Sequence, residues 1–320
     1  MKLLTISIAA YNVEKYIRCC LEKIEKSKYL NLLEVFIIDD GGNDGTLNIA
    51  KDFSKRHPDV FIPIHKNNAG WGSTLNYSIE HSNAKYFKQL DGDDYFDTEG
   101  LDCLLNYLSN SNSDIVFSPY ELIDDATSQY IKTITCPISI DIGKEYMIEE
   151  VISELTLAMH MCTVKTSIIT NLRLLENCFY TDVEFIIKSI ANASTISFID
   201  SPVYCYRIAR DGQSVSISGF KKHYLEHQKV LMELIHFTNS VTDERKKKAF
   251  VNRLRRMSGD QYVAYMCLDI NSENKNKMLA FDLKLKEYPE FYDTDLKIAR
   301  LARAFNGLLY PLLASYVHRR

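Results

Sequence analysis

The sequence predicts an α/β fold built on a mostly parallel, doubly wound sheet with helices on its flanks. Three observations carry this. Residues 3–9 and 35–38 are short apolar, β-branched runs without polar alternation, the pattern of strands buried on both faces. Each gives way to a segment of helical periodicity, and alternation of strand and helix is the mark of a parallel sheet. Polar or glycine-rich residues stand where strands hand over to helices, at the edge where open α/β sheets bind ligands.

Taken in order, the first strand ends at Tyr11-Asn12, with Asn12 the candidate N-cap of a helix that buries Ile17, Leu21 and Ile24. The second strand runs into Asp39-Asp40-Gly41-Gly42. Leu47, Ala50 and Phe53 mark a helix that stops near His57-Pro58, and residues 60–64 form a third strand. Residues 67–73 read as a loop whose glycines let backbone approach a ligand, and residues 74–81 as a helix. Tyr86-Phe87-Lys88-Gln89-Leu90 is the next strand. It delivers Asp91-Gly92-Asp93-Asp94, where side chains of one sign crowd together. A divalent cation relieves that repulsion, because magnesium and manganese prefer carboxylate oxygens. Tyr95-Phe96-Asp97 leads into a helix over residues 97–109, with Leu101, Leu104, Leu105 and Leu108 inward, and residues 115–117 form a strand. Residues 120–159 mix strand-like and polar stretches. Asp182 precedes an apolar helical run through Ile186, Ile187 and Ile190, so an N-cap is its simplest role. Beyond residue 218 the chain reads as helices with polar and basic faces.

Composition narrows the classes. A chain of 320 residues fits one large domain or two small ones. The net charge of −4 disfavours a nucleic-acid binder. No apolar run reaches membrane-spanning length, and the start turns polar too early for a signal peptide. The eight cysteines contain no Cys-x-x-Cys, which favours reduced thiols in a cytoplasmic protein over disulfides or zinc. Leu75 stands where the dinucleotide fingerprint wants glycine, Phe96 where a calcium hand does, and no Gly-Lys-Ser/Thr phosphate loop is present.

Four motifs, in order and spacing, resemble the family 2 inverting glycosyltransferases: residues 6–16, Ile37-Ile38-Asp39-Asp40-Gly41, residues 68–76, and Leu90-Asp91-Gly92-Asp93-Asp94. The resemblance covers roughly residues 1–215. It implies the A-type glycosyltransferase fold, with residues 1–97 binding a nucleotide sugar, residues 98–218 forming the acceptor side with the catalytic base, and residues 219–320 a helical C-terminal region. It implies that Ala10, Tyr11 and Asn12 border the nucleotide and that Asp40 meets the uracil. Asn68, Gly70, Ser73, Asp91 and Gly92 complete the donor site. Asp91 and Asp93 form the metal-binding pair, with Asp93 preferred over Asp94 as ligand and Mg or Mn as the ion. Phe179-Tyr180-Thr181-Asp182-Val183-Glu184-Phe185 resembles the segment that carries the base. Thr181 replaces the usual glutamate, and Asp182 is expected both to cap the helix and to act as base. Arg207 in Tyr204-Cys205-Tyr206-Arg207, with Arg210 second, is expected to bring positive charge to the diphosphate, and residues 211–216 to close over it. The implied donor is a UDP-sugar; the implied acceptor is saccharide, lipid-linked or protein-linked, in cell-surface polysaccharide or glycoconjugate synthesis.

Two rivals remain at this level. Ala10 and Thr181 depart from the family pattern, which fits a nucleotide-sugar-binding module without turnover. A sugar-phosphate nucleotidyltransferase shares the sheet and metal logic but needs a glycine- and lysine-rich loop near the start, which is missing. Residues 296–317 are apolar and flanked or interrupted by Lys297, Arg300, Arg303, His318, Arg319 and Arg320. Such a pattern suits either packing within the protein or peripheral contact with an anionic membrane surface.

Overall fold

The structure, a computed structural model, describes residues 2–136, 140–208 and 216–319. The chain divides into two compact units, Met1–Arg210 and Asp211–Arg320.

The first unit opens with β1 (Leu4–Ala10), α1 (Glu14–Glu25), β2 (Leu33–Asp40), α2 (Thr46–Arg56), β3 (Phe61–Lys66), α3 (Trp71–His81) and β4 (Tyr86–Asp91). Every residue of β2 is buried, its apolar run over residues 35–38 as a parallel strand demands and its acidic residues Glu34, Asp39 and Asp40 with it. There follow β5 (Tyr95–Phe96), α4 (Thr98–Asn110), β6 (Ile115–Phe117), β7 (Tyr120–Asp124), β8 (Tyr130–Ile134), β9 (Glu145–Met147) and α5 (Ile148–Val151). The unit closes with β10 (Cys162–Lys165), α6 (Thr181–Asn192), β11 (Thr195–Phe198) and β12 (Tyr204–Ile208). Eight strands form one sheet in the order β3-β2-β1-β4-β10-β6-β11-β9. Its first four are mutually parallel, β10 runs antiparallel to β4 and β6, and β9 is an antiparallel edge. One face packs Ile6, Ile8 and Leu90 against Ile17, Leu21, Leu101 and Leu105 of α1 and α4. The other carries α3 and α6, with Phe36 edge-on to Tyr77 and Phe87 beside Phe185. The fold is the expected doubly wound α/β arrangement.

A second sheet, β5-β12-β7-β8, stands apart. The sequence reads Tyr95-Phe96 as the lead into a helix, but the pair is a strand, because Tyr204 and Cys205 of β12 lie antiparallel to it. Asn12 is not the N-cap of α1 either. It sits in the left-handed region at φ 52, and its Oδ1 accepts the Asn43 N–H at 2.9 Å. Val13 takes the cap position, and the loop after β2 supplies the acceptors: Thr46 Oγ1 for the Val13 N–H at 3.0 Å and Asp44 for the Glu14 N–H at 2.9 Å. The helix α3 starts at Trp71, earlier than its periodicity suggests, because Gly70 turns the chain at φ 82.

The second unit comprises α7 (Ile217–Ser240), α8 (Glu244–Met266), α9 (Ser272–Lys286), α10 (Pro289–Tyr292), α11 (Lys297–Arg303) and α12 (Tyr310–Val317). Its core is tied by buried Asp282, which accepts from Tyr262 at 2.8 Å and Tyr292 at 3.0 Å and pairs with Lys286 at 2.8 Å. Among the described residues no helix is long and apolar enough to cross a membrane. No disulfide joins any of the eight cysteines.

Candidate active site

The site is built where β1, β2 and β4 end together, since Ala9 stands in register with Asp91 and Ala10 with Asp39. Beyond Asp91 the chain turns tightly back onto β1. The Gly92 N–H donates to the Ala9 carbonyl at 2.8 Å, and a Cβ on Gly92 would stand 2.9 Å from that oxygen. Glycine is therefore needed for the acidic turn to lie against β1.

The three carboxylates of the turn are held differently. Asp94 is 3% exposed, accepting the Tyr204 hydroxyl proton at 2.8 Å and the Arg207 backbone N–H at 2.7 Å. The same Tyr204 oxygen accepts the Asp91 N–H at 3.2 Å, so one phenol bridges both ends of the turn. Burial, then the charges of Asp93 and Asp91, push the Asp94 carboxyl well above the usual carboxylate range. Asp91 accepts the Trp71 indole N–H at 2.7 Å. One ligand oxygen from each of Asp91, Asp93 and Asp94 can lie within 4.8 Å of the others. An all-oxygen, carboxylate-rich set fits Mg or Mn. With both Asp94 oxygens engaged internally, the partly exposed Asp91 and Asp93 are the ones presented to a cation.

The expected donor residues divide between the surface and the interior. Tyr11, Asn12 and Asn68 are exposed at the sheet edge, whereas Ala10, Asp40 and Ser73 are buried. Asp40 accepts from Lys66 Nζ at 2.5 Å, the Ala69 N–H at 3.0 Å and the Gly70 N–H at 2.8 Å. Here Asp40 holds the loop before α3 in place. Ser73 joins it, donating to the Gly70 carbonyl at 2.7 Å and accepting from Lys66 at 2.8 Å. Lys66, which the motifs do not flag, is the cation at the centre of this arrangement.

That loop is clamped to the chain before α6. Asn76 donates to the Leu174 carbonyl at 3.0 Å and accepts the Leu174 N–H at 2.9 Å; the Asn177 N–H donates to the Ala69 carbonyl at 2.5 Å. A Cβ on Gly70 would press on the Cys178 nitrogen at 3.2 Å. Asp182 is not the helix cap: Tyr180, left-handed at φ 67, takes that position, and Asp182 is the second residue of α6. It is partly exposed, and its charge is favoured in the first turn of a helix. Thr181 and Glu184 beside it are buried. Glu184 accepts the Leu175 N–H at 2.9 Å and pairs with Lys188 at 2.6 Å, a bracing role.

Between the acidic turn and α6 lies an aromatic cluster. Tyr204 and Tyr206 share one face of β12 by the two-residue strand period. His160 packs edge-on to Tyr204 at 4.8 Å, leans on Tyr206 at 4.5 Å and 31°, and stacks on Tyr120 at 5.0 Å. The His160 carbonyl is held by the buried ammonium of Lys88 at 3.0 Å, which also donates to the Cys162 carbonyl at 3.1 Å. Burial pulls Lys88 down to about 8; burial and the Lys88 charge pull His160 down to about 3, so the imidazole is neutral. Burial, and then the charges of Asp94, Asp91, Asp182 and Asp93, raise the Tyr206 hydroxyl above the usual phenol range. Tyr206 lies in the Tyr204-Cys205-Tyr206-Arg207 segment, whereas Lys88 and His160 carry no motif signal.

Arg207 departs from expectation. Its side chain leaves the other face of β12 and lies over the rings of Tyr95 at 4.9 Å and Tyr16 at 5.5 Å, 4.0 Å from Asp125. Asp125 is in turn held by the Tyr16 hydroxyl at 2.9 Å. The guanidinium rivets α1, β5 and the end of β7, and what Arg207 gives the acidic turn is its backbone N–H. Arg210, residues 211–215 and Arg320 lie outside the described residues.

A sequence model described as "Glycosyl transferase family 2" matches residues 5–172, a span that includes the acidic turn and stops before Asp182. Among curated proteins the chain is similar to EpsH of Bacillus subtilis, at 26% identity over 64% of this chain and 60% of EpsH. It is also similar to the minor teichoic acid biosynthesis protein GgaB of the same organism, at 22% identity over 75% of this chain and 26% of GgaB. The chain thus spans less than two thirds of either relative. Among solved structures, S. aureus TarS in complex with UDP-GlcNAc matches with a TM-score of 0.72, covering 100% of this chain and 92% of that one at 18% identity, a likeness of fold.

Proposed function

The chain belongs to glycosyl transferase family 2, and from that premise we propose that it moves a sugar from a UDP-sugar to an acceptor hydroxyl with inversion, in cell-surface polysaccharide or glycoconjugate synthesis. The observation that carries this is the acidic turn Asp91-Gly92-Asp93-Asp94, set at the carboxyl end of β4. The name of GgaB supports the glycan class, and the UDP-GlcNAc in the TarS structure supports the donor class.

Asp91 and Asp93 would hold a divalent cation, which when bound supplies Lewis-acid stabilisation of the departing diphosphate. Asp94 stays behind them, holding the turn through Tyr204 and the Arg207 backbone. Tyr11, Asn12 and Asn68 line the exposed edge for the nucleoside, above the loop that Asp40 and Lys66 fix. Asp182 takes the proton of the acceptor hydroxyl as its oxygen attacks the anomeric carbon. The bond from that carbon to the diphosphate breaks on the opposite face, through a transition state of oxocarbenium character, and the configuration inverts.

Transfer with a panel of nucleotide sugars, in manganese and then in excess chelator, tests the reading. Metal-dependent release of nucleoside diphosphate with a UDP-sugar is the expected result. Thermal stabilisation by nucleotide sugars without turnover would instead mark a binding module, and pyrophosphate formation from a nucleoside triphosphate a nucleotidyltransferase. In the second unit, exposed Leu308, Leu312 and Tyr316 recur at four-residue spacing beside exposed His318 and Arg319. This stripe supports peripheral contact with an anionic membrane surface.

A further inference from the structure

We propose that His65 is a specificity-determining residue for the donor, whose Nε2 accepts the N–H at position 3 of the uracil ring. The inference rests on the reading of the donor as a UDP-sugar.

Two carboxylate pairs cross from β2 to β3 at the sheet edge, Asp39 opposite His65 and Asp40 opposite Lys66. The second pair is closed. Lys66 spends its ammonium on Asp40, the Asn67 carbonyl and the Ser73 hydroxyl, and Asp40 has a donor on each oxygen. The first pair is open. Asp39, 2% exposed, holds His65 Nδ1 at 2.6 Å, yet the imidazole side chain is 52% exposed. The residues proposed to line the nucleoside converge on this corner. A Cβ on Gly42 would stand 2.5 Å from Asp39 Oδ1 and 3.2 Å from Asn12 Oδ1, so the carboxylate behind His65 and the Asn12 amide flank one glycine. A Cβ on Gly41 would stand 2.8 Å from the Asn68 nitrogen. Tyr11 follows Ala10, the register partner of Asp39 on β1. The sheet order β3-β2-β1-β4 puts three strand steps, about 14 Å, between the level of His65 and that of Asp91. An extended nucleoside diphosphate is of that length, with its diphosphate at the acidic turn and its base at β3.

Asp39 fixes which nitrogen reads the base. A carboxylate only accepts, and its other oxygen takes the Gly42 N–H at 3.2 Å, so the bonded Nδ1 of His65 carries the proton. In the neutral ring Nε2 is then left with a lone pair. Uracil presents an N–H at position 3. Cytosine presents a bare ring nitrogen there, and two lone pairs repel. An acceptor held by a buried carboxylate at the sheet edge therefore favours uracil, as a site built to bond an N–H rejects an analogue that lacks it. Asp39 is a positioning residue in this arrangement, acting on the base through the imidazole.

Calorimetric titration in manganese tests this, with UDP and with 3-methyl-UDP, in which a methyl group replaces the N–H. His65→Asn keeps an amide donor near the Nδ1 position for Asp39 and places nothing at Nε2; the amide oxygen of His65→Gln reaches the Nε2 position. Wild type should bind UDP at least about tenfold more tightly than 3-methyl-UDP, the scale of one hydrogen bond whose loss leaves a partner unsatisfied. His65→Asn should bring that ratio close to one by weakening UDP alone, and His65→Gln should restore part of it. An undiminished ratio in His65→Asn overturns the proposal. Wild type alone also decides: equal affinity for UDP and 3-methyl-UDP, or for UDP and CDP, overturns it without any variant. If UDP binds and the discrimination is absent, only the role of His65 fails; if wild type binds no uridine nucleotide, the UDP-sugar reading fails and the role of His65 with it.

Discussion

The indole N–H of Trp71 donates to Asp91 Oδ1 at 2.7 Å, joining the first residue of α3 to the last residue of β4. The loop that leads into α3 and the acidic turn are therefore one structure. Trp71→Phe keeps an aromatic ring edge-on to Phe185 but removes the donor. Affinity for Mn2+, measured by titration of binding in the presence of UDP, should fall about 10- to 100-fold, as for other residues that orient metal ligands. Asp93→Asn should remove metal-dependent UDP binding and transfer altogether while the protein stays folded. Wild-type transfer by Asp93→Asn in excess chelator would sink the metal assignment.

Asp182→Asn should fold, bind UDP and metal, and lose transfer by at least ~10²-fold, the lower range for general-base catalysis. Thr181→Ala should cost far less turnover, since a buried hydroxyl is no base at neutral pH. Glu184→Gln should act on stability instead. It leaves Lys188 without its charged partner in a largely buried pair, which lowers the melting temperature. Single-turnover transfer and thermal melts on the three variants separate these outcomes.

His160 makes the protein acid-sensitive. Its folded value near 3 lies below the usual 6.5, so the folded state binds fewer protons than the unfolded one. Stability is complete above about pH 6.5 and is lost as the pH falls from there toward 3, by about 2 kcal/mol at pH 5 for this residue alone. His227, pulled down to about 4 by burial, adds to the loss over an overlapping window. His160 Nδ1 is buried without a hydrogen-bond partner among the described residues, so His160→Phe removes little bonding and keeps the aromatic packing. Urea unfolding at pH 7 and pH 5 should show a smaller acid penalty for His160→Phe than for wild type.

The exposed stripe Leu308, Leu312 and Tyr316 predicts flotation with liposomes containing anionic lipid, weakened by salt. Leu312→Glu with Leu308→Glu should abolish flotation without altering donor hydrolysis in solution. Equal flotation of wild type and the double variant would remove the membrane reading.

The sequence showed β1, β2 and β4 because buried parallel strands are continuous apolar runs, and it showed the acidic turn because three carboxylates in four residues are a local signal. What it hid depends on partners distant in the chain. The strand β5 is only two residues long and exists through its pairing with β12. The left-handed Tyr180 that displaces Asp182 from the cap carries no local mark, since a tyrosine seldom adopts that backbone. Arg207 lies in a recognisable segment, but which side of a strand faces the site depends on register, and a guanidinium that looked available lies over two tyrosines instead. Lys88 and His160 escaped because their partners are backbone carbonyls and neighbouring rings, which leave no spacing to read.

The clamp between Ala69 and Asn177, with Gly70 resting on Cys178, couples the loop before α3 to the chain that leads into α6. A nucleotide sugar bound against that loop, as proposed, would also touch the few residues that lead into Asp182. Initial-rate kinetics should then show donor adding before acceptor, with the nucleoside diphosphate competing with fresh donor and not with the acceptor.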